Sequence, residues 1–247
     1  MIKSENDLKD YIDNYLSNDF SKLITVKDSE KSKIHIFENR KSGKKIVQRF
    51  SANRNDDVFR ALRTIKSSNF VNVLEVCSDD EYLIVIEEYV EGKNLLEMIK
   101  SGRIDKKTAC KYTMQICDAL TVLHSNGIVH RDIKPENIIV TDDNNAVLID
   151  FSIARRVGSE NDKDTDNLGT VGYAAPEQYG ITQSNKTTDI YSLGVLLNIM
   201  LTGEHPAVCV PNGNLKRIIN KATSTQISKR YQSASHMKKD LFYCSLF

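Results

Sequence analysis

Apolar positions recur along this chain with two periods, and the change of period divides it. Residues 1–20 set Leu8, Ile12, Tyr15 and Leu16 among Asp, Asn and Lys at spacings that suit one amphipathic helix. Strand-like runs follow at 22–26, 33–38 and 45–50, with a turn at Ser42-Gly43 before the third. Helical spacing returns over 56–66, where Val58, Phe59, Leu62 and Ile65 share a face. Two further strands are read at 71–76 and 82–87, joined at Ser78-Asp79-Asp80. Beyond Glu88-Tyr89-Val90-Glu91-Gly92 the pattern is mainly helical. Residues 105–125 carry Ala109, Tyr112, Ile116, Ala119, Leu120 and Leu123 on one stripe, stopped by Asn126-Gly127. A second apolar helix spans 189–201 and closes at Thr202-Gly203, and 214–221 and 233–241 are the last helices. Short strands are expected at 138–140 and 146–149. The fold class is therefore α+β: a small five-stranded antiparallel part with one helix, then a larger helical part. No repeat or low-complexity linker separates them, so residues 1–247 are expected to form a single domain.

Composition narrows the function classes. A hydrophobic share of 40% and a charged share of 27% describe an ordinary globular chain. The net charge of +1 argues against nucleic acid or an anionic membrane as partner. No apolar stretch is long enough for a membrane span, and Met1-Ile2-Lys3-Ser4-Glu5 does not begin a signal peptide. The five cysteines (Cys77, Cys110, Cys117, Cys209, Cys244) form no Cys-x-x-Cys pair. Cys110 and Cys117, seven apart on one helix face, are expected to be core thiols, and a reduced cytoplasmic setting follows.

Chemistry concentrates in His130-Arg131-Asp132-Ile133-Lys134-Pro135-Glu136-Asn137. Phosphoryl transfer needs a carboxylate for the attacking hydroxyl, a cation for the migrating group and an amide oxygen for magnesium. The run resembles the catalytic loop of eukaryotic-type Ser/Thr protein kinases, in the compact form of bacterial members. Lys134, two residues after the aspartate, is typical of the Ser/Thr branch. The resemblance covers residues 22–245 and is most specific from Leu123 to Gly203. It implies a bilobal fold, with an N-lobe over about 1–87, a hinge at 88–92 and a C-lobe over 93–247. It also implies transfer of the γ-phosphate of ATP, with Mg2+, to a protein hydroxyl. Asp132 is then the base, Lys134 the phosphate cation and Asn137 a magnesium ligand. Asp150-Phe151-Ser152 matches the family's Asp-Phe-Gly, making Asp150 the other magnesium ligand. Ser152 departs from the glycine and should restrict the backbone there. In Gly169-Thr170-Val171-Gly172-Tyr173-Ala174-Ala175-Pro176-Glu177-Gln178-Tyr179-Gly180, Thr170 is expected to bridge Asp132 and Lys134. Glu177 should pair with Arg230, and Asp189 should anchor the catalytic loop. Arg131 is the residue that receives an activation-segment phosphate in many relatives. Thr165 is a candidate phosphosite, in a segment with Ser159, Glu160, Asp162, Asp164 and Asp166.

The resemblance fails near the N-terminus. Kinases cover the phosphates with Gly-x-Gly-x-x-Gly, but no glycine precedes Gly43; Lys27, Ser29 and Ser32 take those places and Ile34 follows. The third-strand Val-Ala-Ile-Lys becomes Ile46-Val47-Gln48-Arg49. Spacing from Gly43 favours Arg49 at the lysine, and the apolar pattern allows Gln48 instead. The glutamate of the following helix is absent, since none occurs between Phe50 and Leu74; Val58 stands there, beside Asp57. Glu87 takes the gatekeeper position, where a buried carboxylate needs a partner. Two arrangements stay open: Glu87 reaches solvent or the adjoining strand, or it pairs with Arg49 and holds it towards the phosphates in place of the absent helix glutamate. By the resemblance, Ile34, Val47, Arg49 and Glu87 contact the nucleotide, together with Glu88 and Val90 of the hinge and Ile139. Two readings stay open. One is an active kinase acting on a protein substrate; the other is a pseudokinase serving as a nucleotide-binding or scaffold module. A small-molecule phosphotransferase is disfavoured by Lys134-Pro135 and the Ala-Pro-Glu segment.

Overall fold

The computed structural model describes residues 12, 14–52, 55–78, 82–157, 169–179 and 184–245. The expected turn at Asp79-Asp80, the candidate phosphosite Thr165 with its acidic neighbours, Leu8 and Gly180 all lie outside them. Two compact units emerge. The first takes the chain up to Ser67 with Val71–Val90, and the second takes Ser68–Phe70 with the chain from Glu91 onward.

The first unit is an antiparallel sheet ordered β1-β2-β3-β5-β4. Its strands are β1 (Phe20–Ser29), β2 (Ser32–Asn39), β3 (Lys45–Ser51), β4 (Val73–Ser78) and β5 (Leu83–Glu88). All five were legible in the alternation of apolar and polar residues. β1 and β2 meet through a turn at Glu30-Lys31, with Ser29 opposite Ser32. Alternation along β3 puts Ile46 and Gln48 on one face and Val47 and Arg49 on the other. The Ile46 face packs with Phe20, Cys77, Ile84 and Ile86 under Ile12 and under Leu16, the latter in a helical segment at 14–19. Helix α1 (Asp56–Thr64) buries Val58, Phe59 and Leu62 and packs on β4. β4 begins two residues later than its apolar run. Asn69 and Phe70 are taken up by the second unit, where Leu148 N–H donates to Asn69 O at 2.9 Å and Asn69 Nδ2 donates to Ala146 O at 3.0 Å.

The second unit is mainly helical: α2 (Leu95–Ser101), α3 (Lys106–Ser125), α4 (Lys186–Thr202), α5 (Asn214–Ala222) and α6 (Ala234–Ser245). Short strands β6 (Lys93–Asn94), β8 (Ile138–Val140) and β9 (Ala146–Leu148) form one small sheet, and β7 (Ile128–Val129) pairs with β10 (Arg155–Arg156). Sequence reasoning missed α2, which is only seven residues long. Its signal was Asn94, whose side chain accepts from Leu96 N–H at 2.9 Å as an N-cap. α4 starts three residues before the expected Asp189 because Asn185 and Thr188 form a capping box. That helix is apolar nearly all round, which suits a strut buried between α3 and α5. Cys110 and Cys117 lie buried on α3, and burial pushes the Cys110 thiol up to about 11. Among the described residues, no helix is long and apolar enough to cross a membrane.

α4 and α5 meet at Gly194, where an added Cβ would stand 2.6 Å from Ala222 Cβ and 3.0 Å from Thr223 Cγ2. Gly194→Ala should therefore lower stability by about 1–3 kcal/mol through overpacking. Thermal unfolding checks this, and an unchanged midpoint contradicts the packing described.

Candidate active site

The loop from β7 to β8 has no regular ladder of its own, so its backbone groups must find other partners. Asp189 supplies two of them. His130 N–H donates to Asp189 Oδ2 at 2.9 Å and Arg131 N–H to Oδ1 at 2.7 Å. His124 Nε2 contacts the same Oδ2 at 2.8 Å. Burial alone would raise the Asp189 pKa, but His124, His130 and the backbone donors outweigh it and hold the carboxyl below its ordinary value. Arg131 sits in the left-handed region, at φ 71°. That conformation costs an arginine about 1–2 kcal/mol, and the hydrogen bonds on either side of the residue offset it. Its N–H is held by Asp189, and its carbonyl accepts from Gln178 Nε2 at 3.0 Å.

Gln178 was quoted in the sequence only as part of a run; the structure gives it a positioning task. Buried to 1% exposure, it also accepts from Ala175 N–H at 2.9 Å, fastening residues 169–179 to the catalytic loop. Gly169 permits this approach, for a Cβ there would lie 2.7 Å from Gln178 Nε2, at a φ of 75°.

Three of the expected site residues converge on the carboxylate of a fourth, Asp132. Thr170 Oγ1 donates to Asp132 Oδ1 at 2.7 Å. Lys134 Nζ donates to Thr170 Oγ1 at 2.7 Å and lies 2.8 Å from Asp132 Oδ2. Asn137 Nδ2 donates to both Asp132 Oδ2 and Asp132 O at 2.9 Å. With its amide nitrogen so engaged, Asn137 turns its oxygen elsewhere, as a hard-cation ligand must. The β8–β9 pairing continues into a hydrogen bond from Ile149 N–H to Asn137 O at 2.8 Å, which sets Asp150 beside Asn137. Asp150 adopts φ 64°, whereas Ser152 is not in the left-handed region. Ser152 N–H donates to Asp150 Oδ1 at 3.2 Å. Phe151, fully buried, stands edge-on to His130 (4.9 Å between ring centres) and Phe70 (6.0 Å). Burial lowers the His130 pKa and keeps the imidazole neutral. Ile139 is half-buried in β8, opposite Val147. Among the described residues no cluster of three or more His, Cys, Asp or Glu forms a metal cage.

Away from this cluster, Glu177 and Arg230 form a bidentate pair at 2.6 and 2.8 Å. Thr188 Oγ1 donates to Glu177 Oε1 at 2.9 Å, and Ser224 O accepts from Arg230 Nε at 2.7 Å. Burial pushes the Glu177 pKa up, but the arginine and its other donors bring it below the ordinary range.

In the first unit, Arg49 Nε donates to Glu87 Oε2 at 2.6 Å. Ile34, opposite Arg49, and Val47, opposite Glu87, share their face of the sheet. Gln48 is buried on the other face with the apolar core, so parity separates the two candidates. Glu88 ends β5 and accepts from Asn72 Nδ2 at 2.8 Å, and Val90 follows it half-buried.

A family model described as "Protein kinase domain" matches residues 18–243. The chain belongs to the protein kinase domain family. It is 33% identical to a probable serine/threonine-protein kinase of Clostridium perfringens, over 81% of this chain and 32% of that protein. It is also 33% identical to the serine/threonine-protein kinase PrkC of Bacillus subtilis (80% of this chain, 35% of that protein). Against PknB, a serine/threonine-protein kinase of Mycobacterium tuberculosis, identity is 31% over 64% of this chain and 29% of that protein. The chain thus spans about a third of the length of these relatives.

Two predictions follow from the buried charges of this kinase domain. Arg230→Met, which leaves Glu177 without its partner, should cost about 3–5 kcal/mol in denaturant unfolding, and the double change Glu177→Met/Arg230→Met less than that. A double variant as unstable as the sum of the singles contradicts the pairing. The second concerns acid. His130 titrates below its ordinary 6.5 when folded, so the unfolded chain takes up that proton first, and stability present above 6.5 is lost as pH falls towards the folded value. Glu177 and Asp189, also depressed, act in the same direction below 4.5 and 3.8. Unfolding free energy should fall as pH drops below about 6.5, with at most about 1.4 kcal/mol per unit from this group, and His130→Asn should flatten the decline.

Proposed function

We propose that this domain is an active Ser/Thr protein kinase that transfers the γ-phosphate of ATP to a hydroxyl of a protein substrate. The observation that carries this reading is the closed set around Asp132, in which Thr170, Lys134 and Asn137 each engage the same carboxyl group. Asp132 is oriented to accept the proton of the attacking hydroxyl as its oxygen bonds to phosphorus and the bond to the ADP oxygen breaks. Lys134 supplies positive charge where the migrating phosphoryl group gathers negative charge, and Thr170 holds the lysine and the aspartate in register. The donor set of Asn137 and Asp150 fits magnesium, which typically takes one or two protein oxygens and completes its shell with phosphates and water. Bound there, the ion would neutralise phosphate charge. Arg49 is the corresponding cation of the first unit, and Glu88 and Val90 are proposed to meet the base.

A second reading, a nucleotide-binding or scaffold pseudokinase, has its own support. The β1–β2 hairpin carries no glycine, and arginine stands at the third-strand lysine. Phosphate incorporation from labelled ATP with Mg2+, on a generic basic protein, separates the two. The active reading expects incorporation by the unchanged chain and a loss of about 10²–10⁴-fold in Asp132→Asn. No incorporation from either protein, with no thermal shift on adding ATP, decides for the scaffold.

A further inference from the structure

The first unit contains a buried ion pair in which the proposed phosphate cation Arg49 is one partner and Glu87 the other. Glu87 is 1% exposed, and its Oε2 lies 2.6 Å from Arg49 Nε, whose side chain is 14% exposed. The two residues are not direct cross-strand neighbours. Arg49 stands opposite Val85 and Glu87 opposite Val47, so they are diagonal neighbours on one face, a separation that an arginine side chain spans. A carboxylate this deep is costly unless paired, and the pair is costly to open from either side. The arginine thus has its orientation set by the sheet. Helix α1 carries its two acids, Asp56 and Asp57, in the first turn, and buries Val58, Phe59 and Leu62. On the same face, Lys27 lies opposite Ile34 on β1, and Ile34 lies opposite Arg49. Lys27 is exposed, and so sets a second, unburied cation at that level of the sheet.

We propose that Glu87 is the positioning residue for Arg49, holding its guanidinium ready for the phosphates of a nucleotide. The inference rests on the kinase reading above and adds a consequence for regulation. The contact that orients the cation runs between β3 and β5, so nucleotide affinity should depend on Glu87 of the sheet.

The test reads binding rather than transfer, and can therefore be run on Asp132→Asn protein. Affinities for ATP and for adenosine are measured by titration calorimetry with Mg2+ present, for Arg49→Met, Glu87→Gln, the two combined, and Lys27→Met as a control. Thermal unfolding is recorded for each variant. Arg49→Met should weaken ATP about tenfold or more and leave adenosine unchanged. Glu87→Gln, nearly isosteric, should weaken ATP about fivefold, again without touching adenosine, and should have no further effect once Arg49 is gone. A purely structural pair would lower the unfolding midpoint and shift both ligands alike. ATP affinity indifferent to Glu87→Gln, effects that add in the double variant, or a loss confined to Lys27→Met each overturn the proposal. Failure of the unchanged chain to bind ATP overturns the nucleotide reading itself along with it.

Discussion

Asp189 lies fully buried in the first turn of α4, with an oxygen on each of two consecutive backbone N–H groups of the catalytic loop and a third contact to His124. A carboxylate at a helix N-terminus is favoured by the free N–H groups and the dipole there, and here it serves a segment with no ladder of its own. Every geometric feature of the site depends on that anchorage. It holds His130 as a platform for Phe151, fixes Arg131 in the left-handed region, and so aims Asp132 at Lys134, Thr170 and Asn137. From the far side Gln178 grips the Arg131 carbonyl, so that residue is set by two elements distant in sequence.

The two units differ in how faithfully they keep the family's chemistry. In the second, the residues that match the family's catalytic motif, Asp132, Lys134, Asn137 and Thr170, are bonded to one another. In the first, charge has been rearranged rather than removed. The third-strand cation survives as an arginine, and its acidic partner lies on β5 instead of α1. Arginine presents a wider, more weakly hydrated fork than lysine, which suits a carboxylate approaching diagonally across a sheet.

Much of this was legible in the sequence because short-range pattern carried it. β8 was read residue for residue, and the stripe from Ala109 to Leu123 became the buried face of α3. Glu87 was identifiable because a charged residue inside an apolar run has to find a partner. What escaped depended on long-range contact. The start of β4 shifted because Asn69 and Phe70 bond to residues around 146–148. Gln178 reaches a carbonyl 47 positions earlier, which no local spacing announces. That Gln48 faces the apolar core while Arg49 takes the opposite face of β3 is a fact of packing.

The central claim is that Asp189 holds the catalytic loop in one conformation before any ligand arrives. Amide hydrogen exchange at His130 and Arg131 tests it most directly. Both N–H groups should exchange only through global unfolding, as slowly as the core of α3, and Asp189→Ala should speed them to loop-like rates while α3 stays protected. Rapid exchange of both amides in the unchanged protein would contradict the account.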